Sequence, residues 1–421
     1  MKYCDIHVAR DKSRGTLINM KIALLSEKYT PDIGGLAIST ERLSQLLSSA
    51  GCEVRVFVPT HSTALRAGLN LPASEKRALN SNRVSVTRFG AHKRVDDTLV
   101  DWFELIIDEH KRGPFDVMHA YFLPQAGFVA TYAGKYLNIP SVVSIRGNDI
   151  ERAVFDPSKF SHVMYALQNA SAVTTNASEL VKKAKAFFDR EIFLIPNGID
   201  VDCFKPMPKN ESLAEALGLK TLGSGSLLPN HRQQVVGLQS SAVIGFAGEL
   251  REKKGLKTLL CAYAQVNKKS PVTLLIAGEV RAGQDKQTFD EFRLSNPEYR
   301  IIVTGTISHK DMPAYYSLMD VFVHPSLRDG MPNALLEAMA CEKAVIATPV
   351  GGTMDIVENG KNGLLVNVND ENMLTEKILE LLDNPKKSQF LGKNARQSII
   401  EKFTPEKELE ANLDIYRKLG I

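Results

Sequence analysis

Two carboxylates eight positions apart, Asp329 and Glu337, stand within DVFVHPSLRDGMPNALLEAMACEKAVIATPVGGTMD, residues 320 to 355. An apolar strand (321–323) runs into a Pro/Ser/Asp-Gly turn that carries Asp329, and a helix follows with Leu335, Leu336, Met339 and Ala340 at helical spacing. Pro332 suits the first helical turn, where a missing N–H costs nothing, and the free amides there, with the helix dipole, favour an anion. Asn333 and Glu337, four apart, share a helix face. Gly351 and Gly352 close a second strand (344–347) and would let backbone approach a ligand.

A basic turn is the second candidate. The strand 243–247 leads into GELREKKG (248–255), whose Arg251, Lys253 and Lys254 precede a helix. Cations at the carboxyl end of a strand, beside a helix N-terminus, suit a diphosphate. By itself the segment reads equally well as a solvated turn; with the two carboxylates in the same domain it points to a nucleotide diphosphate. Near the other end of the chain, KYTPDIGG (28–35) places Gly34 and Gly35 between a first strand and a first helix, where such sheets receive phosphates, although paired glycines equally mark a plain turn. Asp200-Val201-Asp202 spells a D-x-D metal motif but sits beside a linker, and no His/Cys/carboxylate cluster indicates a metal.

The elements that must position these residues alternate. Apolar strands at 20–25, 54–58, 84–89, 117–120, 141–145, 172–175 and 192–195 are separated mostly by helix-length segments, and the same grammar restarts at 243. This predicts an α/β chain with two doubly wound parallel sheets and a cleft between them. The expected divisions are a disordered extension over 1–19 with Met20 as the functional start, an N-terminal domain over 20–204, a linker over 205–241, a C-terminal domain over 242–402, and a last helix over 403–421 that could return to the first domain.

Composition bounds the function. The chain has 421 residues, 44% hydrophobic and 24% charged, with a net charge of +4, so nothing demands a nucleic-acid partner. No apolar run approaches the ~18 residues of a spanning helix. Five scattered cysteines without a C-x-x-C pair read as reduced thiols of a cytoplasmic protein. Arg66, Lys76, Arg77, Arg83, Arg88, Lys93 and Arg94 stand against one acid, Glu75, across 66–94. That run is either a solvated loop or a surface for peripheral contact with an anionic membrane or a polyanionic acceptor.

Residues 243 to 366 resemble the donor half of the retaining GT-B glycosyltransferases of family 4, through the acid, seven residues, acid signature, AMA, the VIAT strand and GG. GG at 34 and 35, DVMHAY (116–121), RGNDIER (146–152) and PNGID (196–200) extend the resemblance to about residues 20 to 420. It implies two Rossmann-like domains and transfer of a sugar from a nucleotide-diphosphate sugar to a hydroxyl acceptor, a glycan or a lipid-linked one. No cofactor is implied. Catalysis would fall to Arg251, Lys254, Asp329 and His119, with Arg251 and Lys254 on the diphosphate and Asp329 on the hydroxyls of the transferred sugar. Glu337 would bind the ribose, and Thr306 would lie near the base. Gly34, Gly35, Gly330, Met331, Pro332, Asn333, Ala334, Gly351 and Gly352 complete the donor side. Tyr121, Arg146, Asn148 and Asp149 are the acceptor-side candidates.

Three positions depart from the family pattern. Asp329 replaces the usual Glu and is shorter by roughly 1.5 Å, one C–C bond. Glu249 stands where a phosphate-binding Arg is usual, so Arg251 is expected to substitute, and Tyr121 replaces the second histidine of H-A-H. A single His at a strand end, such as His119, reads as structural or as touching substrate. Two rivals remain: a sugar-nucleotide epimerase, and a catalytically silent nucleotide-sugar-binding protein.

Overall fold

The computed structural model describes residues 19–32, 34–60, 76–77, 83–219 and 242–421. The expectations for the extension up to residue 18, for Arg66 and the side chains of Lys76 and Arg77, and for 220–241 of the linker fall outside them.

Near-continuous Val/Ile/Leu/Ala runs form strands buried on both faces, which is the pattern of parallel sheets. The first unit holds β1 (Lys21–Ser26), β2 (Glu53–Thr60), β3 (Lys76–Arg77), β4 (Val84–Gly90), β5 (Val117–Tyr121), β6 (Ser141–Ile145), β7 (Ala172–Thr175) and β8 (Ile192–Leu194). They lie in the order β3-β4-β2-β1-β5-β6-β7-β8, parallel except for the short antiparallel β3. The register puts Ile22 of β1 between Val54 of β2 and Val117 of β5. Strand order therefore reverses between β1 and β5, and the carboxyl ends there form this sheet's natural ligand mouth.

One face of this sheet is covered by a core around Trp102, Ile106 and Val163. The opposite core contains Leu43, Leu46 and, from the last helix Pro405–Lys418, Leu409, Leu413, Ile415 and Tyr416. That helix is fastened by a buried bidentate pair, Arg42 to Glu408 at 2.7 and 3.1 Å. The described residues between 19 and Gly198 and from Pro405 onward thus form one compact unit, and those between Ile199 and Thr404 the other.

The second unit is a six-stranded parallel sheet in the order β11-β10-β9-β12-β13-β14. Its strands are β9 (Ala242–Ala247), β10 (Val272–Ala277), β11 (Arg300–Val303), β12 (Val321–His324), β13 (Ala344–Ala347) and β14 (Leu364–Leu365). Here the order reverses between β9 and β12. The loops that leave those two strands are 248–255 and 325–332, which hold the basic turn and Asp329.

The linker was expected to begin at 205, but the boundary falls between Gly198 and Ile199. Phe204, Ala214 and Leu219 are buried in the second unit's core. Between them lies a short helix, Glu211–Ala216, whose cap Asn210 accepts from the Leu213 amide at 3.0 Å. Apolar residues spaced through a polar stretch were enough to dock it.

Two members of the basic 66–94 run serve the fold. Arg88 donates to the carbonyls of Tyr29 and Thr30 at 2.7 and 2.6 Å, and Arg83 donates to the Gly51 carbonyl. Among the described residues no helix is long and apolar enough to cross a membrane.

Candidate active site

The C-terminal mouth is built by backbone approach. Gly255 has φ 80°, and a Cβ there would stand 2.0 Å from the Pro325 carbonyl oxygen, so only glycine lets the basic turn lie against the loop after β12. The Leu327 amide donates to the Lys253 carbonyl at 3.0 Å and stitches the two loops together. Gly351 and Gly352, expected on the donor side, underlie the Asp329 loop. A Cβ on Gly351 would stand 1.7 Å from the Asp329 carbonyl oxygen, and the Gly352 amide donates to the Gly330 carbonyl at 2.5 Å.

Side chains expected to act on different parts of the ligand bind each other here. Lys254 Nζ is paired with Asp329 Oδ2. His324 Nε2 lies 3.1 Å from the same oxygen and 3.0 Å from Ser326 Oγ. Burial alone would raise the Asp329 pKa, but the Lys254 ammonium and the His324 hydrogen bond outweigh it and hold the carboxyl well below the usual range. Burial pushes His324 down, so its imidazole stays neutral. Both of Asp329's side-chain hydrogen bonds use Oδ2, and among the described residues Oδ1 accepts none.

Arg251 NH1 pairs with Glu249 at 3.2 Å, so the acid standing at the family's arginine position neutralises the residue expected to replace that arginine. The Arg251 Nε is buried without a partner. Glu337, 6% exposed on the helix Asn333–Ala340, accepts from Tyr316 Oη at 2.8 Å through Oε2 and faces His309 Nε2 at 3.0 Å through Oε1. Burial, then the Glu337 charge, push the Tyr316 phenol well above its usual range, which keeps it a donor.

The remaining donor-side candidates frame the same helix start. Pro332 is its N-cap, Met331 and Pro332 are buried, and Gly330, Asn333 and Ala334 are half-buried. Thr306 is exposed after β11 and donates to Glu279 at 2.6 Å. Gly34 and Gly35 lie in the other unit at the start of the helix Gly35–Ser49, with open space where their Cβ atoms would be.

Sequence reading missed His309, Tyr316, His324 and Ser326. The one signal for His324 was a polar residue ending an otherwise apolar strand. Tyr316 and His309 precede β12, and only the folded sheet carries them to Glu337.

The N-terminal mouth holds the acceptor-side candidates and His119, the one expected catalytic residue of this unit. His119 is fully buried, with Nδ1 2.6 Å from Tyr416 Oη and Nε2 2.9 Å from Ser144 Oγ. Burial, then Arg146, bring its pKa down to about 3. It is a neutral core histidine that fastens the last helix, because both nitrogens are taken and no surface is exposed.

Asp149 is likewise turned inward. Its Oδ1 accepts the amides of Arg146, Gly147 and Ile150 at 3.1, 2.8 and 3.1 Å, and burial raises its pKa to about 6. Asn148, next to it, is exposed at the start of the short helix Asn148–Glu151. The Arg146 guanidinium lies 4.0 Å from the Tyr121 ring centroid and donates to Asn197 Oδ1 at 2.7 Å.

Asp200 Oδ1 accepts the amides of Asp202 and Cys203, both at 2.9 Å, which makes the D-x-D sequence a turn cap. No group of three His, Cys, Asp or Glu among the described residues could hold a metal.

Known proteins are similar to this chain in sequence and in fold. The family described as glycosyl transferases group 1 matches residues 229–398, and glycosyltransferase family 4 matches 33–203. A capsular polysaccharide biosynthesis glycosyltransferase of Staphylococcus aureus is 27% identical over 75% of this chain and 80% of its own. An uncharacterized glycosyltransferase of Methanocaldococcus jannaschii is 22% identical over 95% of this chain and 99% of its own. The structure of Anabaena HepE in complex with UDP-glucose, 19% identical, superposes with a TM-score of 0.74 over 95% of this chain and all of that one. Two family models that between them match both halves of the chain, together with two Rossmann-like sheets, lead to one conclusion: the chain belongs to the group 1, family 4 glycosyltransferases of GT-B architecture.

Proposed function

We propose that this glycosyltransferase takes its sugar from a nucleotide diphosphate donor and passes it, with retention of anomeric configuration and without a metal ion, to a hydroxyl of a glycan or glycolipid. The observation that carries this reading is the Lys254–Asp329–His324 cluster at the strand-order reversal of the second sheet. It supplies a cation for phosphate, and a carboxylate whose second oxygen is open to a sugar hydroxyl. Anchoring Oδ2 offsets the missing methylene, because the carboxylate is aimed by two partners rather than by a longer side chain.

Donor binding would proceed by exchange. The diphosphate competes with Asp329 for Lys254 and with Glu249 for Arg251, and the amides opening the helix Asn333–Ala340 add to the positive field. Glu337 keeps lone pairs for two vicinal ribose hydroxyls while Tyr316 and His309 hold its orientation. As the sugar's bond to the phosphate oxygen breaks, the acceptor oxygen bonds to the same face of the anomeric carbon, and the departing phosphate oxygen takes the acceptor's proton. The complex of HepE with UDP-glucose and the capsular role in the name of the S. aureus relative support a nucleotide-sugar donor and a cell-surface acceptor.

A thermal-shift panel of UDP-, GDP- and ADP-sugars tests the donor, since a ligand bound only by the native state raises stability. One of them should stabilise the wild type and, at the same concentration, stabilise Glu337→Gln less. No shift with any nucleotide sugar would overturn the reading. Products formed from donor alone would favour an epimerase, and donor binding with no transfer to any acceptor a silent binding protein.

A further inference from the structure

Arg146 follows the carboxyl end of β6, Tyr121 ends β5, Asn176 follows β7, and Asn197 lies three residues beyond β8. These adjacent strands make up the mouth of the first sheet on one side of its order reversal. Three features there have no structural explanation. Among the described residues the Tyr121 hydroxyl, on a residue 2% exposed, donates to no acceptor and has the Arg146 guanidinium as its polar neighbour, and Asn176 Oδ1, on a residue 3% exposed, has no hydrogen-bond partner. The mostly buried Arg146 guanidinium makes one hydrogen bond, to Asn197, and no ion pair among the described residues.

The two carboxylates whose fields reach Arg146 are both committed elsewhere. Glu408 is taken by Arg42 and by the Gly198 amide at 2.7 Å. Asp149 is taken by backbone amides. The other charged neighbour is Arg42 itself, and His119 is neutral. A guanidinium has five N–H donors in a planar fork that matches phosphate or carboxylate, and burying it without a counter-charge is costly. Here the fork is held flat on an aromatic ring beside a hydroxyl that can still donate.

We propose that Arg146 and the Tyr121 hydroxyl, with Asn176 beside them, form an anion subsite in the N-terminal unit that receives a phosphate or carboxylate group carried by the acceptor. The assignment of the ligand as an acceptor rests on the sugar-transfer reading; the anion site itself does not. It narrows the acceptor class to hydroxyl compounds that also bear an acidic group.

Inorganic phosphate titrated into the full-length protein, without donor or acceptor and at constant ionic strength, tests this by thermal unfolding and equilibrium binding. The general stabilising effect of phosphate is common to all variants and subtracts out. Arg146→Gln should weaken binding about tenfold or more, and Tyr121→Phe, which keeps the ring under the guanidinium, by about threefold to tenfold. Lys254→Gln, which removes a cation of the donor site, should leave the Arg146-dependent part of that binding unchanged.

Should Arg146→Gln fail to fold, Tyr121→Phe decides alone. Binding lost in Lys254→Gln and kept in both N-terminal variants would place the anion at the donor site and overturn the proposal, as would a wild type that binds no phosphate. Abolition of phosphate binding by saturating UDP would assign Arg146 to the donor's own diphosphate and overturn the acceptor assignment. Because no sugar transfer is measured, failure of the transfer reading and failure of this one are told apart.

Discussion

The two sheet mouths are built by the same topology and hold their charge in opposite ways. At the C-terminal mouth the two cations expected to hold the diphosphate each meet a carboxylate: Lys254 with Asp329, Arg251 with Glu249. At the N-terminal mouth the carboxylates are spent on structure and the Arg146 guanidinium is left uncompensated. Pre-paired charges cost little to keep folded and orient each other, but a ligand must displace one partner to use the other. An uncompensated guanidinium costs stability in the empty protein and offers more to an anion when one arrives. Donor binding is thus an exchange reaction, and anion binding at the other mouth an addition.

The largest test of this contrast is Lys254→Ala. It removes the phosphate cation and strands a buried carboxylate, so transfer should fall by about 10²-fold or more in kcat/KM. A loss below about threefold would end the claim that this pair organises the donor site. Next comes Glu337→Gln, which keeps the shape of the side chain but weakens its acceptance from ribose hydroxyls. Donor Kd measured by calorimetry should rise by about tenfold with less change in kcat.

A smaller effect of opposite sign is expected from Glu249→Gln. If Arg251 is restrained by Glu249, freeing it should tighten donor binding by about twofold to fivefold, the scale of a partly exposed ion pair. Weaker binding would mean that Glu249 itself serves the donor.

The smallest catalytic effect belongs to the N-terminal core. Tyr416→Phe leaves His119 Nδ1 unpaired and should cost about 1–3 kcal/mol in chemical unfolding while kcat stays within about twofold. His119 also predicts a pH dependence. Its pKa is about 3 when folded against an ordinary 6.5, so between those values the unfolded chain binds the proton and the folded one does not. Its contribution to stability is intact above about pH 6.5 and is lost as pH falls toward 3. The advantage of the wild type over His119→Gln should shrink across that window.

Much of this protein was legible along the chain because its signals are local. Strand runs, the Asp329/Glu337 spacing and the paired glycines all lie within a few residues of what they govern. The role of Gly351 was harder to read. Its missing side chain read as room for a ligand, but the atom a Cβ there would meet is the Asp329 carbonyl oxygen, twenty-two residues earlier in the chain. His119 shows the same limit in reverse: a strand-end histidine is ambiguous until Tyr416, 297 residues away, arrives to bind it.

Composition and periodicity determined by themselves that there would be two α/β halves, where their strands and most helices lie, and which loop carries the two acids. Hydrophobic period and turn chemistry act over a few residues and need no tertiary context. The tertiary structure alone decided who meets whom. Lys254 and Asp329 are 75 residues apart and touch because β9 and β12 are neighbours where the strand order reverses. The last helix joins the first sheet because Leu409, Leu413 and Tyr416 cover an apolar face there. Charge compensation depends on distances of a few ångströms between remote segments, and only sheet order and packing set those distances.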